Sequence, residues 1–233
     1  MPCGWTSWAA PRNIVLILSD DHRHDFMGFM EGGPAFLETP NFDRMAAQGA
    51  HFRNAFVTTS LCSPSRASIL TGQYMHHHRV VDNQRPVAEG TRFFPEYLQE
   101  AGYTTGFVGK WHMGHDHDEP REGFNHWVSF KGQGTYFDPE LNLNGSRKSF
   151  KGYTTDILAD QALEWLKTRS DEDPFLLYLS FKAVHYPFQP APRHHGRYED
   201  KAIDYPMTMA NTESNYQTQS NWIRERRYGI HGI

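Results

Sequence analysis

Two adjacent carboxylates, Asp20 and Asp21, follow directly on an apolar run, and side by side they repel unless a cation sits between them. That arrangement suits a hard, oxygen-seeking ion such as Ca²⁺ or Mg²⁺. A pair of solvated loop acids would look the same. Further on, Cys62 stands just ahead of a predicted helix start, with Arg66 one turn inside it. The positive end of a helix stabilises an anion and lowers a thiol pKa, and a fixed guanidinium could steady an oxyanion. Taken alone, the pair also reads as a buried structural cysteine and a surface arginine. Lys110 and His112 flank Trp111 after one predicted strand, and His185 comes shortly after another. Acid, cation and base thus stand at the ends of three separate strands, where open α/β sheets bind their ligands.

The elements that must position these groups show as short apolar runs alternating with helical patterns. Asn13 to Ser19 (NIVLILS) reads as a buried, parallel strand. A helix follows from Thr39, as its cap, through Pro40 to an exit at Gly49, and His51 to Val57 reads as a strand. Ser63 and Pro64 open a second helix that closes near Gly72. Phe94, Tyr97, Leu98 and Ala101 form a helical stripe ended by Gly102. Tyr103 to Val108 is a further strand. Leu158, Ala162, Trp165 and Leu166 repeat the helical spacing behind a Thr155 cap, and Pro174 to Phe181 (PFLLYLSF) is another buried strand. This alternation predicts an α/β fold, a mainly parallel sheet flanked by helices. Gly114 to Gly152 reads as a long loop or small insertion, and His76-His77-His78 as a solvated turn. After Pro192 the pattern dissolves; Asn211 to Asn221 is almost wholly polar, and a helical look returns at Trp222 to Tyr228.

Composition narrows the classes. At 38% hydrophobic and 21% charged residues the chain is globular rather than disordered. A net charge of −4 and a pI near 6.4 argue against general nucleic-acid binding. Mean hydropathy is −0.68, and no apolar run approaches the roughly 20 residues of a membrane helix. Ile14 to Leu18 is too short for a secretory core and lacks a basic flank, so no export signal is expected. Two cysteines, Cys3 and Cys62, exclude a disulfide scaffold and a four-cysteine zinc site. His112, His115 and His117 (HMGHDH) could hold a transition metal, but a polar loop is the preferred reading.

Ser60 to Gly72, SLCSPSRASILTG, closely resembles the first signature of the type I sulfatases, and Gly102 to His112, GYTTGFVGKWH, resembles the second. The Asp20-Asp21 pair and His185-Tyr186-Pro187 match the same family in the same order. The resemblance implies an alkaline-phosphatase-like fold and hydrolysis of organic sulfate esters, with sulfated glycans favoured as substrates. It implies that Cys62 is oxidised to formylglycine by a maturation enzyme. The hydrated aldehyde would attack sulfur through one hydroxyl, and loss of the second hydroxyl's proton would then eject sulfate. It also implies Asp20, Asp21 and modified Cys62 as ligands of Ca²⁺, or of Mg²⁺. Arg66 would hold the oxyanion, Lys110 the sulfate, and His112 would take the proton. His185 would contact the ester and protonate the leaving alcohol.

The family completes its metal site with an Asp-Asn pair and adds a second sulfate-binding lysine further along, and neither occurs between His185 and Ile233. Residues 1–233 are therefore expected to form the N-terminal part of a sulfatase catalytic domain, truncated before its remaining strands and its smaller C-terminal domain. Such a chain would bind metal weakly and leave a sheet edge exposed. Two other readings remain at this point: a phosphonate or phosphate ester hydrolase of the same superfamily, and an inactive fragment.

Overall fold

The computed structural model describes residues 11–170, 172–204 and 212–225, so Cys3 lies outside the described residues. They divide into two compact units. The first comprises the described residues up to His22 together with Phe52–His195; the second comprises Arg23–His51 and the described residues from Gly196 onward.

Six strands form one sheet in the first unit: β1 (Ile14–Leu18), β2 (Thr104–Lys110), β3 (His126–Phe130), β4 (Glu140–Leu143), β5 (Ser146–Ser149) and β6 (Phe175–Ser180). Their order is β1-β6-β2-β3-β4-β5. β1, β6, β2 and β3 are parallel, while β4 and β5 are antiparallel additions. The helices are α1 (Pro40–Gln48), α2 (Cys62–Thr71), α3 (Met75–His78), α4 (Phe94–Glu100), α5 (Thr154–Lys167), α6 (Glu213–Tyr216) and α7 (Asn221–Glu225). Among the described residues no helix is long and apolar enough to cross a membrane.

Side chains alternate across each strand, so one run of apolar residues serves two cores. Phe107, Trp127 and Tyr178 face Ala67 and Leu70 of α2, together with Phe93 and Trp111. Their neighbours Val108, Val128, Leu177 and Leu179 face Leu158, Ala162 and Trp165 of α5. Full burial of each such side chain stabilises by roughly 1.5–3 kcal/mol. The stripe expected of α5 is therefore the face it buries. Strands β2 and β6 approach so closely that a Cβ at Gly109 would lie 1.8 Å from the Ser180 carbonyl oxygen, and Gly109 has φ +123°. Only glycine tolerates both conditions.

Several expectations need correction. Residues 51–57 pair with no strand among the described residues, and Phe52, Phe56 and Val57 are exposed. β1 is parallel as expected but not buried: its only strand neighbour among the described residues is β6, and Ile14, Val15 and Ile17 remain exposed. The span Gly114–Gly152 is no plain loop, for it carries β3 and the β4–β5 hairpin. The signal for the hairpin was Asn144-Gly145 with φ values of 50° and 94°, the backbone a tight two-residue turn demands. α5 starts after Tyr153 rather than behind a Thr155 cap, because the Thr154 N–H donates 2.8 Å to the Tyr136 carbonyl. His76 to His78 form α3, and His78 is buried with its Nε2 3.0 Å from Ser68 Oγ. At the far end α6 and α7 are short helices; of the expected Trp222–Tyr228 helix, residues 226–228 lie outside the described residues.

Candidate active site

The rim formed by the carboxyl ends of β1, β6 and β2 gathers the candidate residues. Asp20 lies two residues beyond β1, and its N–H donates 2.9 Å to the Ala183 carbonyl beyond β6. Lys110 is the last residue of β2, which runs two residues further than expected and so holds this lysine in the sheet, wholly buried. Cys62 is the first residue of α2. The Ser63 N–H donates 3.0 Å to Asn83 Oδ1, so Asn83 supplies the side-chain acceptor that Leu61 at the cap position cannot. The other end of α2 closes on Gly72, with φ +67° and its N–H bonded to the Ser68 carbonyl. These contacts fix the first turn, where positions 62 and 66 share a face.

Lys110 Nζ donates to Asp20 Oδ2 and, at 2.5 Å, to Gln133 Oε1. Arg66 donates 2.6 Å to the Lys110 carbonyl and 2.6 Å to Ser180 Oγ, and its Nη2 is 3.4 Å from Asp20 Oδ1. Cys62 Sγ lies 3.9 Å from Asp20 Oδ1 and 3.9 Å from Lys110 Nζ. Position 62 thus sits over a buried carboxylate clasped by two cations. The cleft it opens into has a volume of about 280 Å³ and is lined by Asp20, Asp21, Ser60, Cys62 and Arg66, among others.

These charges set the protonation states. Burial pulls the Asp20 carboxyl upward, but Arg66 and Lys110 outweigh it and hold the group below the usual carboxylate value. Burial and the nearby Arg66 guanidinium lower Lys110 against the opposing pull of Asp20. The Cys62 thiol is pushed up, not down as its helix-start position led us to expect. Burial dominates, and Asp20 and Asp21 add to it, outweighing Lys110 and Arg66. The unmodified thiol is therefore a poor thiolate source.

His112 is almost fully buried, with its carbonyl accepting from Ser63 Oγ and its Nδ1 without a hydrogen-bond partner. Burial, then Lys110 and Arg66, lower its pKa to about 3, so the ring is neutral at pH 7. His185 Nδ1 is 2.7 Å from the Tyr186 carbonyl, an acceptor only, so the proton is on Nδ1. Its Nε2 faces Asp21 Oδ2 at 3.5 Å. Asp21 has φ 54° and a largely exposed side chain. Ligand atoms of Asp20, Cys62 and His185 lie within 4.8 Å of one another. The Asp20 carboxylate, the His185 imidazole and position 62 could together meet one side of a divalent cation, with Asp21 beside His185 and His185 nearer that cluster than expected.

All seven residues singled out by their chemistry therefore belong to this one rim. Gln133, Ser180, Asn83, Tyr136 and Lys182 were missed. Ser180 had a visible signal, a polar residue at the end of a buried strand; Asn83, Gln133, Tyr136 and Lys182 sit outside the strands and helices and had none.

The Sulfatase family matches residues 12–225. The chain belongs to the sulfatase family. It is 37% identical over 221 residues to an N-acetylglucosamine-6-O-sulfatase of Bacteroides thetaiotaomicron, a match that covers 94% of this chain and 38% of that protein. It is 32% identical over 214 residues to the N-acetylgalactosamine-6-sulfatase of Homo sapiens, covering 76% of this chain and 40% of the other. A solved structure, determined in complex with its substrate D-glucosamine-2-N,6-O-disulfate, superposes with a TM-score of 0.79 at 37% identity, covering 85% of this chain and 40% of that one. This sulfatase-family chain thus spans well under half the length of these relatives, and its sheet is that of the alkaline-phosphatase-like fold.

Proposed function

We propose that the chain carries the nucleophile-bearing part of a hydrolase centre for organic sulfate esters, with 6-O-sulfated amino sugars in glycans as the substrate class. Residues 1–233 correspond in this reading to the N-terminal part of a sulfatase catalytic domain. The observation that carries it is the cationic cradle beside Cys62, with Lys110 Nζ 3.9 Å from Sγ and Arg66 at the base of the same turn. One similar protein in sequence and one in structure act, by name, on 6-sulfated glucosamines.

The reaction is ROSO₃⁻ + H₂O → ROH + SO₄²⁻ + H⁺. Oxidation of Cys62 by a maturation enzyme to formylglycine would replace the poor thiol with a hydrated aldehyde, an oxygen nucleophile regenerated after each turnover. Asp20, Asp21 and position 62 would hold a divalent cation, Ca²⁺ or Mg²⁺, which when bound supplies Lewis-acid charge to the sulfate oxygens. The chain's own groups do the rest. Lys110 and Arg66, fixed by Asp20, Gln133 and Ser180, present positive charge without reorganising as the sulfuryl group moves. His112, neutral and with an unpartnered ring nitrogen, accepts the second hydroxyl's proton as sulfate is ejected. His185, oriented by its Nδ1 bond to the Tyr186 carbonyl and facing Asp21, would in its doubly protonated form give the Nε2 proton to the leaving alcohol and return to the neutral ring.

The test is release of inorganic sulfate from N-acetylglucosamine 6-sulfate by protein produced with a formylglycine-generating enzyme, together with mass analysis of the Cys62 peptide. An aldehyde at position 62 and loss of turnover in Cys62→Ala are expected. Undiminished turnover in Cys62→Ala refutes the nucleophile. Cleavage of phosphonate monoesters with no sulfate release moves the chain to the related hydrolase class.

A further inference from the structure

One buried cation of the rim has no carboxylate within ion-pair distance among the described residues. Lys182 lies two residues beyond β6 and is 3% exposed. Its Nζ reaches only the Tyr186 carbonyl, at a long 3.5 Å, and the face of the Tyr136 ring, 4.8 Å to the centroid. Among the described residues no carboxylate lies within 4 Å of it. An ammonium has three N–H donors, and among the described residues one of them has a hydrogen-bond acceptor, the Tyr186 carbonyl. Lys110 and Arg66 differ: each has the Asp20 carboxylate within ion-pair distance, at 3.4 Å for Arg66.

Its surroundings tie Lys182 to the site. The Tyr186 carbonyl it touches also accepts from His185 Nδ1, and the Tyr136 hydroxyl beneath it donates 2.5 Å to the His185 carbonyl. The charges it feels are those of Lys110, Asp20, Cys62 and Asp21, of which Asp20, Asp21 and Cys62 line the cleft. Burying an ammonium without a partner is strongly unfavourable, and a lysine kept there is one that meets an anion when the site is filled. With Arg66, Lys110 and Lys182 against Asp20 and Asp21, the rim carries one positive charge in excess.

We propose that Lys182 is a further substrate-binding residue of this site, its ammonium donating to an oxygen of the substrate's sulfate group. The inference rests on the sulfate-ester reading above and names a residue no motif singled out. A merely structural lysine would instead serve to hold residues 184–188 through Tyr186.

Inorganic sulfate is the probe, titrated calorimetrically into the purified protein and into Lys182→Met and Lys182→Arg, with thermal unfolding of each recorded in the absence of sulfate. Loss of a charged hydrogen bond corresponds to about a ten- to hundredfold weaker dissociation constant. The expected result is that loss in Lys182→Met, near-normal affinity in Lys182→Arg, and an unfolding midpoint of Lys182→Met at or above that of the parent. Lys182→Gln replaces the apolar variant, with the same expected loss, if Lys182→Met does not fold. Sulfate affinity unchanged in the neutral variants, with a lowered midpoint, overturns the role of Lys182 while leaving the sulfatase reading intact. Absence of saturable sulfate binding by the unsubstituted protein overturns the sulfatase reading, and this inference with it.

Discussion

Replacing Lys110 by methionine isolates the interaction on which the rim depends. The side chain keeps its volume and loses its charge, so the change acts on Asp20, whose side chain is 7% exposed, and hardly on packing. Removing one partner of a buried ion pair destabilises by about 3–5 kcal/mol, because the remaining charge stays buried. Arg66 Nη2, still 3.4 Å from Asp20, retains part of the compensation, which places the expected loss near the lower bound, about 3 kcal/mol. For a chain of this size that corresponds to a fall of roughly 6–12 °C in Tm. The double variant Asp20→Asn, Lys110→Met removes both charges and is expected within about 1 kcal/mol of the parent. The penalty also depends on pH. The folded-state pKa of Asp20 lies below its unfolded value, so its stabilisation is present above the unfolded pKa and is lost as pH falls through the folded one. The deficit of Lys110→Met should therefore shrink in acid, as Asp20 becomes protonated in the variant first. Urea unfolding of the four proteins of the cycle at pH 7 and pH 4 measures all of this. A Lys110→Met protein as stable as the parent, or a double variant as damaged as the sum of the singles, refutes the clasped-carboxylate reasoning.

His112 is neutral when folded and titrates near 6.5 when unfolded, so the unfolded chain binds the extra proton between about pH 3 and 6.5 and stability falls as pH drops through that window. The slope it adds is about 1.4 kcal/mol per pH unit at most, and urea unfolding between pH 6.5 and 5 should show a shallower loss for His112→Gln; equal slopes refute the burial of a neutral ring. Gly109→Ala drives a methyl into the Ser180 carbonyl at a backbone angle alanine disfavours, and is expected to yield little folded protein by circular dichroism; a stable variant would mean β2 and β6 do not approach as described. Val15→Lys and Ile17→Lys place charge on the exposed face of β1 and should raise solubility in light scattering with stability changed by less than about 0.5 kcal/mol; a large stability loss would show that this face is covered.

What was legible in the sequence was local. The strand run at Asn13–Ser19, the stripe of Leu158, Ala162 and Trp165, the Cys62 and Lys110 signatures and the glycine after α2 all rest on short-range spacing, and the matching elements and family follow from them. Local spacing reported existence and order well, because periodicity and turn chemistry act within a few residues. Tertiary structure alone decided the rest. It determined that β1 lies at the sheet's edge with exposed valine and isoleucine, and that residues 51–57 find no strand to pair with. It also made Cys62 a poor thiolate despite its place at a helix start: the helix end is a local feature, whereas burial and the Asp20 charge, 42 residues away in sequence, come from other strands. Lys182 follows the same logic. A lysine after an apolar strand is unremarkable as a string, and becomes informative only when Tyr136 and Tyr186 close over it and no carboxylate does. Desolvation and the count of charges around a buried group are sums over space, and no pattern along the chain encodes them.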